Sequence, residues 1–376
     1  NHMRILVITI DYPSPRNITR GIFLYRLVQK FVDYGHQVTV ISPESILDLF
    51  KSKNYYGHEK ADVYRPIFFS FGAKKIGSYN TYSLTHLALV AAVRRTEKKY
   101  NLMYDVVYCK FIRNGILAID AIKKYQKPVI VDVGENQLLD LTVKWFTYSR
   151  FIDLVNRMDG FIAVSDQVKE KLHNFKIRKE KIIVAPNGVD CLQFRKLDKI
   201  SLREKFNFPQ DKIIIAFTGN FIESKGPDRL LMAIEGLNNI KAIFIGGGPI
   251  DLISNQIVFK QRVPAFSVHE LLNCADIFVL PTLHEGNNNS IIEAMACGLP
   301  IISSDIPEVR SQCDPSFSIL VNPMDVSAIR NSIIKLATNA ALREKMSANA
   351  MAHSKRYDLN KRSKTILEFM KSLVEL

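Results

Sequence analysis

Two carboxylates with seven residues between them, Glu285 and Glu293, bracket the stretch of this chain best equipped for chemistry. Gly286, Asn287, Asn288, Asn289 and Ser290 form a polar loop that passes into Ile291 and Ile292. Before them, the apolar run 277–280 reads as a buried strand ending at Pro281; after them, Pro300-Ile301-Ile302 reads as the next strand. The helix between is short, about two turns, and is closed by Gly298 with Pro300 beyond it. Acids on such a loop and first turn offer several oxygens to the hydroxyls of a sugar. The peptide N–H groups of residues 288–292 have no partner inside the helix and carry the positive end of its dipole, so an anion can dock there. Together these features suit a ligand that is part sugar and part phosphate. The same residues admit a purely structural reading, because Ser290-x-x-Glu293 has the form of a capping box.

A second candidate lies upstream, where a strand at 212–217 opens into Thr218-Gly219-Asn220 and reaches Lys225-Gly226-Pro227. Pro227 suits a first helical position, and Leu230, Leu231, Ile234 and Leu237 then give one apolar face. A lysine between a strand and a helix N-terminus adds charge where backbone donors already converge on an anion; a solvated loop lysine is the plainer alternative. The following strand, 242–245, ends in Gly246, Gly247, Gly248 and Pro249.

The first half of the chain repeats this pattern. Residues 3–10 are a continuous apolar run, as in a parallel strand covered on both faces. A Pro- and Asn-bearing loop, 11–20, leads to Gly21, then to a helix with Phe23, Leu24, Leu27, Val28 and Phe31 on one side, and then to a strand at 38–41. In such a βαβ unit the loop sits at the carboxyl end of the strand, where open α/β sheets bind ligands. Gly21 is therefore either a place where phosphate or acceptor meets the backbone or an ordinary helix start. No G-x-G-x-x-G fingerprint follows the strand, so a nicotinamide dinucleotide has no support. Further strands are expected at 106–109, 129–131, 160–164 and 181–185. Asp132 and Glu135, at the end of one of them, could meet ligand hydroxyls or simply hold a loop. Residues 45–80 are irregular, and acceptor recognition or a surface excursion would both account for them.

Length and composition set the bounds. The 376 residues suffice for two domains with separate cores, and 47% hydrophobic with 23% charged residues is ordinary for a soluble globular chain. The apolar run 87–93 is too short to span a bilayer, and no signal-peptide pattern opens the chain. Five scattered cysteines without a Cys-x-x-Cys pair point to a reducing, cytoplasmic setting and away from structural zinc. The net charge of +14 is concentrated in residues 1–190, where 29 Lys and Arg face 18 Asp and Glu. Such a basic half could meet an anionic membrane surface or an acidic acceptor. Basic residues closing a helix near Arg94 and Lys98 are the structural alternative. No interleaved aromatic and basic module supports nucleic acid.

Glu285, Glu293 and the following Ala294-Met295-Ala296-Cys297-Gly298-Leu299-Pro300 resemble the signature of the family-4 retaining glycosyltransferases. Pro186-Asn187-Gly188-Val189-Asp190 and the Gly246-to-Pro249 turn are similar to further elements of that family. The resemblance implies the GT-B fold: α/β, with two doubly wound Rossmann-like domains facing across a cleft. It places an acceptor-side domain at 3–195 plus 358–376 and a nucleotide-sugar domain at 196–357, with the linker near 195–203 and a final helix at 360–374 crossing back.

The resemblance also implies catalytic roles for Glu285 and Lys225. Donor contacts would come from Gly21, Gly219, Asn220, Lys225, Gly247, Glu285, Gly286, Asn288, Asn289, Ser290, Ile291 and Glu293. Glu293 would hold ribose hydroxyls, and the Ser290 and Ile291 amides would face the diphosphate. The chain departs from the family twice: Asn220 stands where an arginine is usual, and no histidine lies near Gly134. The implied reaction is retaining transfer from a nucleoside-diphosphate sugar, UDP favoured over GDP, to a glycan or lipid-linked acceptor. No cofactor is expected, nor a metal, since no Asp-x-Asp element occurs. A sugar-nucleotide epimerase, a phosphorylase and a non-catalytic nucleotide-binding protein are the competing readings.

Overall fold

The computed structural model describes residues 2–77, 79–122, 127–134, 144–285 and 288–375. The chain forms two compact units, one of Asn1–Pro186 with Asn360–Leu376 and the other of Asn187–Leu359. In chain order the strands of the first unit are β1 (Arg4–Ile8), β2 (Gln37–Ile41), β3 (Glu44–Ser45), β4 (Asp62–Tyr64), β5 (Ile67–Phe68), β6 (Lys75–Ile76), β7 (Tyr79–Asn80), β8 (Val106–Lys110), β9 (Val129–Val133), β10 (Gly160–Ala163) and β11 (Ile182–Val184).

Seven of these make one parallel sheet in the order β11-β10-β9-β8-β1-β2-β4. The apolar runs read from the sequence are its strands, with Leu6, Val7, Val107 and Ile162 almost wholly buried because helices cover both faces. Each such side chain contributes about 1.5–3 kcal/mol relative to exposure. From β1 the chain builds outward to β2 and β4, then returns to place β8 on the other side of β1. The order therefore reverses between β1 and β8, the position at which ligands enter sheets of this type.

The helix Leu359–Val374 completes this unit. Ile366 and Met370 are buried, and Phe369 and Leu373 pack so closely on Gly160 that a Cβ there would come within 2.8 Å of them.

The second unit carries β12 (Ile213–Asn220), β13 (Ile240–Gly247), β14 (Ile257–Gln261), β15 (Ile277–Leu280), β16 (Ile301–Ser304) and β17 (Ser318–Val321), all parallel, in the order β14-β13-β12-β15-β16-β17. Here the reversal falls between β12 and β15. Their following loops hold Lys225 and Glu285.

Two boundaries differ from the sequence reading. Residues 187–195 fold with the second unit: the Val189 amide donates to Tyr357 O at 2.7 Å, Leu359 N donates to Val189 O at 3.0 Å, and Phe194 is buried in that core. The polar segment taken for a linker contains a helix, Lys199–Lys205, whose buried Arg203 donates to Asp276 Oδ2 at 2.7 Å and to the Cys274 carbonyl at 2.9 Å. Polarity misled there because the charges are satisfied inside the fold. No disulfide forms among the described residues, and burial pushes the thiols of Cys274 and Cys313 up to about 12.

Candidate donor-binding site

Lys225 and Glu285 lie 60 positions apart and form an ion pair, Lys225 Nζ donating to Glu285 Oε1. The pairing follows from how their loops are fastened. Arg229, 4% exposed, donates to the carbonyls of Glu223, Pro281 and Pro323 at 3.0, 2.8 and 2.9 Å. Leu283 N donates to Ser224 O at 2.7 Å, and Thr282 Oγ1 donates to the same oxygen at 3.2 Å. Gly226 makes this approach possible. Its φ is +70°, and a Cβ would lie 2.4 Å from Arg229 Nη2 and 2.7 Å from Pro281 O. Lys225 carries three donor positions and uses one of them on Glu285, which leaves charge and N–H groups for an anion.

The helix Asn289–Ala296 opens differently from the capping-box reading. Asn288 is the N-cap: its Oδ1 accepts from Ile291 N at 2.9 Å, while Ser290 is already the second helical residue. Gln312, buried, locks Asn288 by accepting from its amide at 2.9 Å and donating to its carbonyl at 3.1 Å. The Ile292 amide is directed to Asn288 O at 3.4 Å. The amides of residues 288, 291 and 292 are therefore engaged, which corrects both the five-amide anion site and the Ser290–Ile291 pair. Among the described residues, Asn289 and Ser290 retain amides without a hydrogen-bond partner. Glu293, in the second turn, is 5% exposed beside Cys297, whose thiol is driven upward by burial and by that carboxylate. Gly286 lies outside the described residues.

Gly219 and Asn220 belong to β12 itself, in register with Gly246 and Gly247 of β13. A Cβ on Gly219 would meet only ordinary van der Waals contacts, Phe217 at 3.4 Å and the Lys225 stem at 3.9 Å, so no close crossing requires glycine there. Gly246 differs, because a Cβ there would strike Gly219 O at 1.8 Å. The missing arginine has a neighbour that sequence reading did not find. Arg262 Nη2 donates to Gly247 O at 2.8 Å, and that oxygen also accepts from Phe221 N, the amide directly after Asn220, at 3.1 Å. A guanidinium thus stands one carbonyl away from the departing position, 42 residues downstream and without any motif to mark it.

The first unit treats its predicted residues differently. Gly21 has φ +64°, and a Cβ would lie 1.9 Å from Asp11 O, so a close backbone crossing of the 11–20 loop already requires glycine. Asp132 is fully buried, with its oxygens taken by Tyr108 OH, by Lys110 Nζ at 2.9 Å and by Arg362 Nη2 at 2.5 Å. Burial alone would raise its carboxyl, but Arg362 and Lys110 outweigh burial and hold it at about 2. Asp132 is therefore a structural anchor and not a ligand contact. Glu135 lies outside the described residues.

At the β1–β8 reversal the structure forms a pair no motif announced, Arg113 Nη2, in the first turn of the helix Ile112–Ala121 after β8, donating to Asp11 Oδ2, in the loop after β1, at 2.5 Å. Beside it Phe111 holds φ +72° with ψ 144°, a conformation costing about 1–3 kcal/mol in a residue with a side chain. Each unit therefore has an acid–base pair joining the segments that follow the two strands of its own sheet reversal. A cavity of about 160 Å³ in the second unit, lined by Lys196, Asn273, Gly298 and Ser347, includes neither Lys225 nor Glu285.

The family model "Glycosyltransferase Family 4" matches residues 21–192, and "Glycosyl transferases group 1" matches residues 198–353. A Bacillus subtilis (strain 168) protein named as a teichuronic acid biosynthesis glycosyltransferase, TuaC, is 26% identical over 355 residues, covering 89% of each chain. The capsular polysaccharide biosynthesis glycosyltransferase CapM of Staphylococcus aureus is 27% identical over 263 residues, 62% of this chain and 68% of its own. Among solved structures, the sucrose-phosphate synthase of Thermosynechococcus elongatus superposes with a TM-score of 0.79 at 16% identity, over 99% of both chains. Anabaena HepE, solved with UDP and glucose, gives 0.72 at 18% identity, over 99% of this chain and 100% of its own.

Proposed function

The chain belongs to glycosyltransferase family 4, and from that premise we propose that it transfers a sugar from a UDP-sugar to a glycan or lipid-linked acceptor with retention of anomeric configuration. The observation carrying this reading is the Lys225–Glu285 pair at the β12–β15 reversal, together with the free amides of Asn289 and Ser290 at the start of the next helix in the chain. Glu285 would meet the transferred sugar, Glu293 the ribose, and Lys225 with the two amides the diphosphate. Arg262 would supply the positive charge that Asn220 lacks.

In the proposed step the acceptor oxygen bonds to the anomeric carbon on the face from which the diphosphate departs, and a leaving phosphate oxygen takes the acceptor proton. Fixed donors at the developing charge stabilise such a transition state more than the ground state. UDP is favoured over GDP because HepE, of the same fold, is described with UDP and with UDP-glucose. A role in polysaccharide synthesis draws on the names of TuaC and CapM. No metal is assigned to the reaction, and a cytoplasmic position, peripheral to the membrane, fits the reduced cysteines and the basic first half.

Asn220 gives weight to one alternative, a protein that binds UDP and transfers nothing. The test is incubation with radiolabelled UDP-sugars and GDP-sugars, with and without EDTA, followed by NMR of the purified product. An axial linkage from an axial donor, formed in EDTA, is expected; an inverted linkage, or UDP binding without product across an acceptor panel, overturns the reading.

A further inference from the structure

β2 and β4 are parallel neighbours, and each runs past the sheet edge into a second short strand. Those strands, β3 and β5, also pair in parallel, Glu44 against Ile67 and Ser45 against Phe68. Two segments therefore leave the same end of this ribbon: the helical turn Ile46–Phe50 and residues 69–72. Both hold large apolar side chains in water, with Phe50 85% exposed, Leu47 66%, Phe69 56% and Phe71 47%. Phe71 N donates to Thr85 Oγ1 at 2.9 Å, and that hydroxyl donates to Gly72 O at 3.0 Å. These bonds bring the first turns of the helix Tyr82–Lys99 alongside, with Leu84 and Leu87 exposed by 49% and 62%. Single exposed apolar residues are ordinary, but six drawn together from three segments mark an interaction surface.

The charges around the patch identify its partner. Lys51, Lys53 and Lys74 are exposed, and residues 46–58 and 66–96 contain one acid, Asp48. That carboxylate is buried, with Lys51 Nζ at 2.6 Å and Arg20 Nη1 at 3.8 Å, and the two cations hold it below its ordinary pKa against the upward push of burial. Among the described residues of those two ranges, no exposed carboxylate opposes an anion. A second copy docking on the same patch would set lysine against lysine, since a two-fold contact is self-complementary.

We propose that this patch seats the protein on an anionic lipid bilayer, the apolar tips entering the headgroup–acyl boundary and the lysines meeting lipid phosphates. Among the described residues no helix is long and apolar enough to cross a membrane, so the contact is interfacial. The patch adjoins the 11–20 loop, through Arg20 and through Asn54 N donating to Pro15 O at 2.6 Å. Docking therefore brings lipid toward the carboxyl ends of the strands, where Asp11 and Arg113 lie after β1 and β8. That this delivers a lipid-linked acceptor rests on the proposed function; the docking itself does not.

Sedimentation of the full chain with vesicles of phosphatidylcholine, with and without phosphatidylglycerol, tests the docking. Binding to the phosphatidylglycerol vesicles is expected, weakening with salt. A Leu47→Ser, Phe50→Ser double variant should lower the partition coefficient by about tenfold or more, as should Lys51→Glu with Lys53→Glu. A calorimetric transition of the first unit, which carries these residues, at the parent's temperature shows that the variants remain folded. Absence of parent binding to anionic vesicles, or variants that bind as the parent does, overturns the proposal. So does concentration-dependent self-association that the same substitutions abolish. Vesicle binding together with no transfer to any acceptor would leave the docking standing and remove only the enzymatic reading.

Discussion

At the scale of single residues, the proposed function makes charge placement at the β12–β15 reversal the determinant of turnover. Lys225 and Arg262 approach the same strand ends from different loops, and each would lower the barrier only while negative charge develops on a leaving diphosphate. Lys225→Ala should therefore reduce kcat by about ten- to a thousandfold, the range for losing one electrostatic donor. Arg262→Ala should lower kcat by a smaller factor, and Arg262→Lys should restore part of it, because lysine returns the positive charge and an N–H donor but not the planar fork of the guanidinium. Steady-state kinetics read both, and unchanged kcat in Lys225→Ala would remove that residue from the site. Lys225 was legible in the sequence because it occupies a motif. Arg262 was not, because its position depends on β14 running beside β13, which no local pattern records.

At the scale of elements, the anchor of the final helix on the first sheet is a buried charge cluster. Arg362 donates to Asp132 and to the carbonyls of Ala185 and Pro186, so one side chain ties the helix to the ends of β9 and β11. Asp132→Asn would leave Arg362 buried without its carboxylate and should cost about 3–5 kcal/mol, measured by chemical denaturation. The pH dependence follows from the direction of the shift. A carboxyl held at about 2 in the fold and near its ordinary value when unfolded stabilises fully above about pH 4, and that contribution fades as the pH falls toward 2. On the order of 2 kcal/mol of acid-labile stability should be present in the parent protein and missing in the Asp132→Asn variant. The sequence had offered Asp132 as a strand-end acid open to ligand. Its actual partner lies 230 positions away, beyond the reach of any spacing argument.

At the scale of the whole molecule, two units with separate cores should respond separately to ligand. UDP at a hundredfold excess over its Kd should stabilise the second unit by about 2.7 kcal/mol, seen as a rise in its calorimetric transition while the first unit's transition holds its position. A rise confined to the first unit would contradict the donor assignment. The sequence by itself determined most strands of the two large sheets, though not β4, β14 or β17, together with the repeated βαβ pattern, the family and the motifs that hold Lys225, Glu285 and Glu293. These follow from apolar runs, punctuation by Gly and Pro, and motif residues held within a few positions of one another. Only the tertiary structure decided that Lys225 touches Glu285, that Asn288 rather than Ser290 caps the site's helix, that Arg262 stands beside Asn220, that Asp132 is an anchor, and that six apolar side chains meet on one surface. Each of those outcomes depends on which strands lie side by side, and strand order is fixed by packing between segments that are remote in sequence.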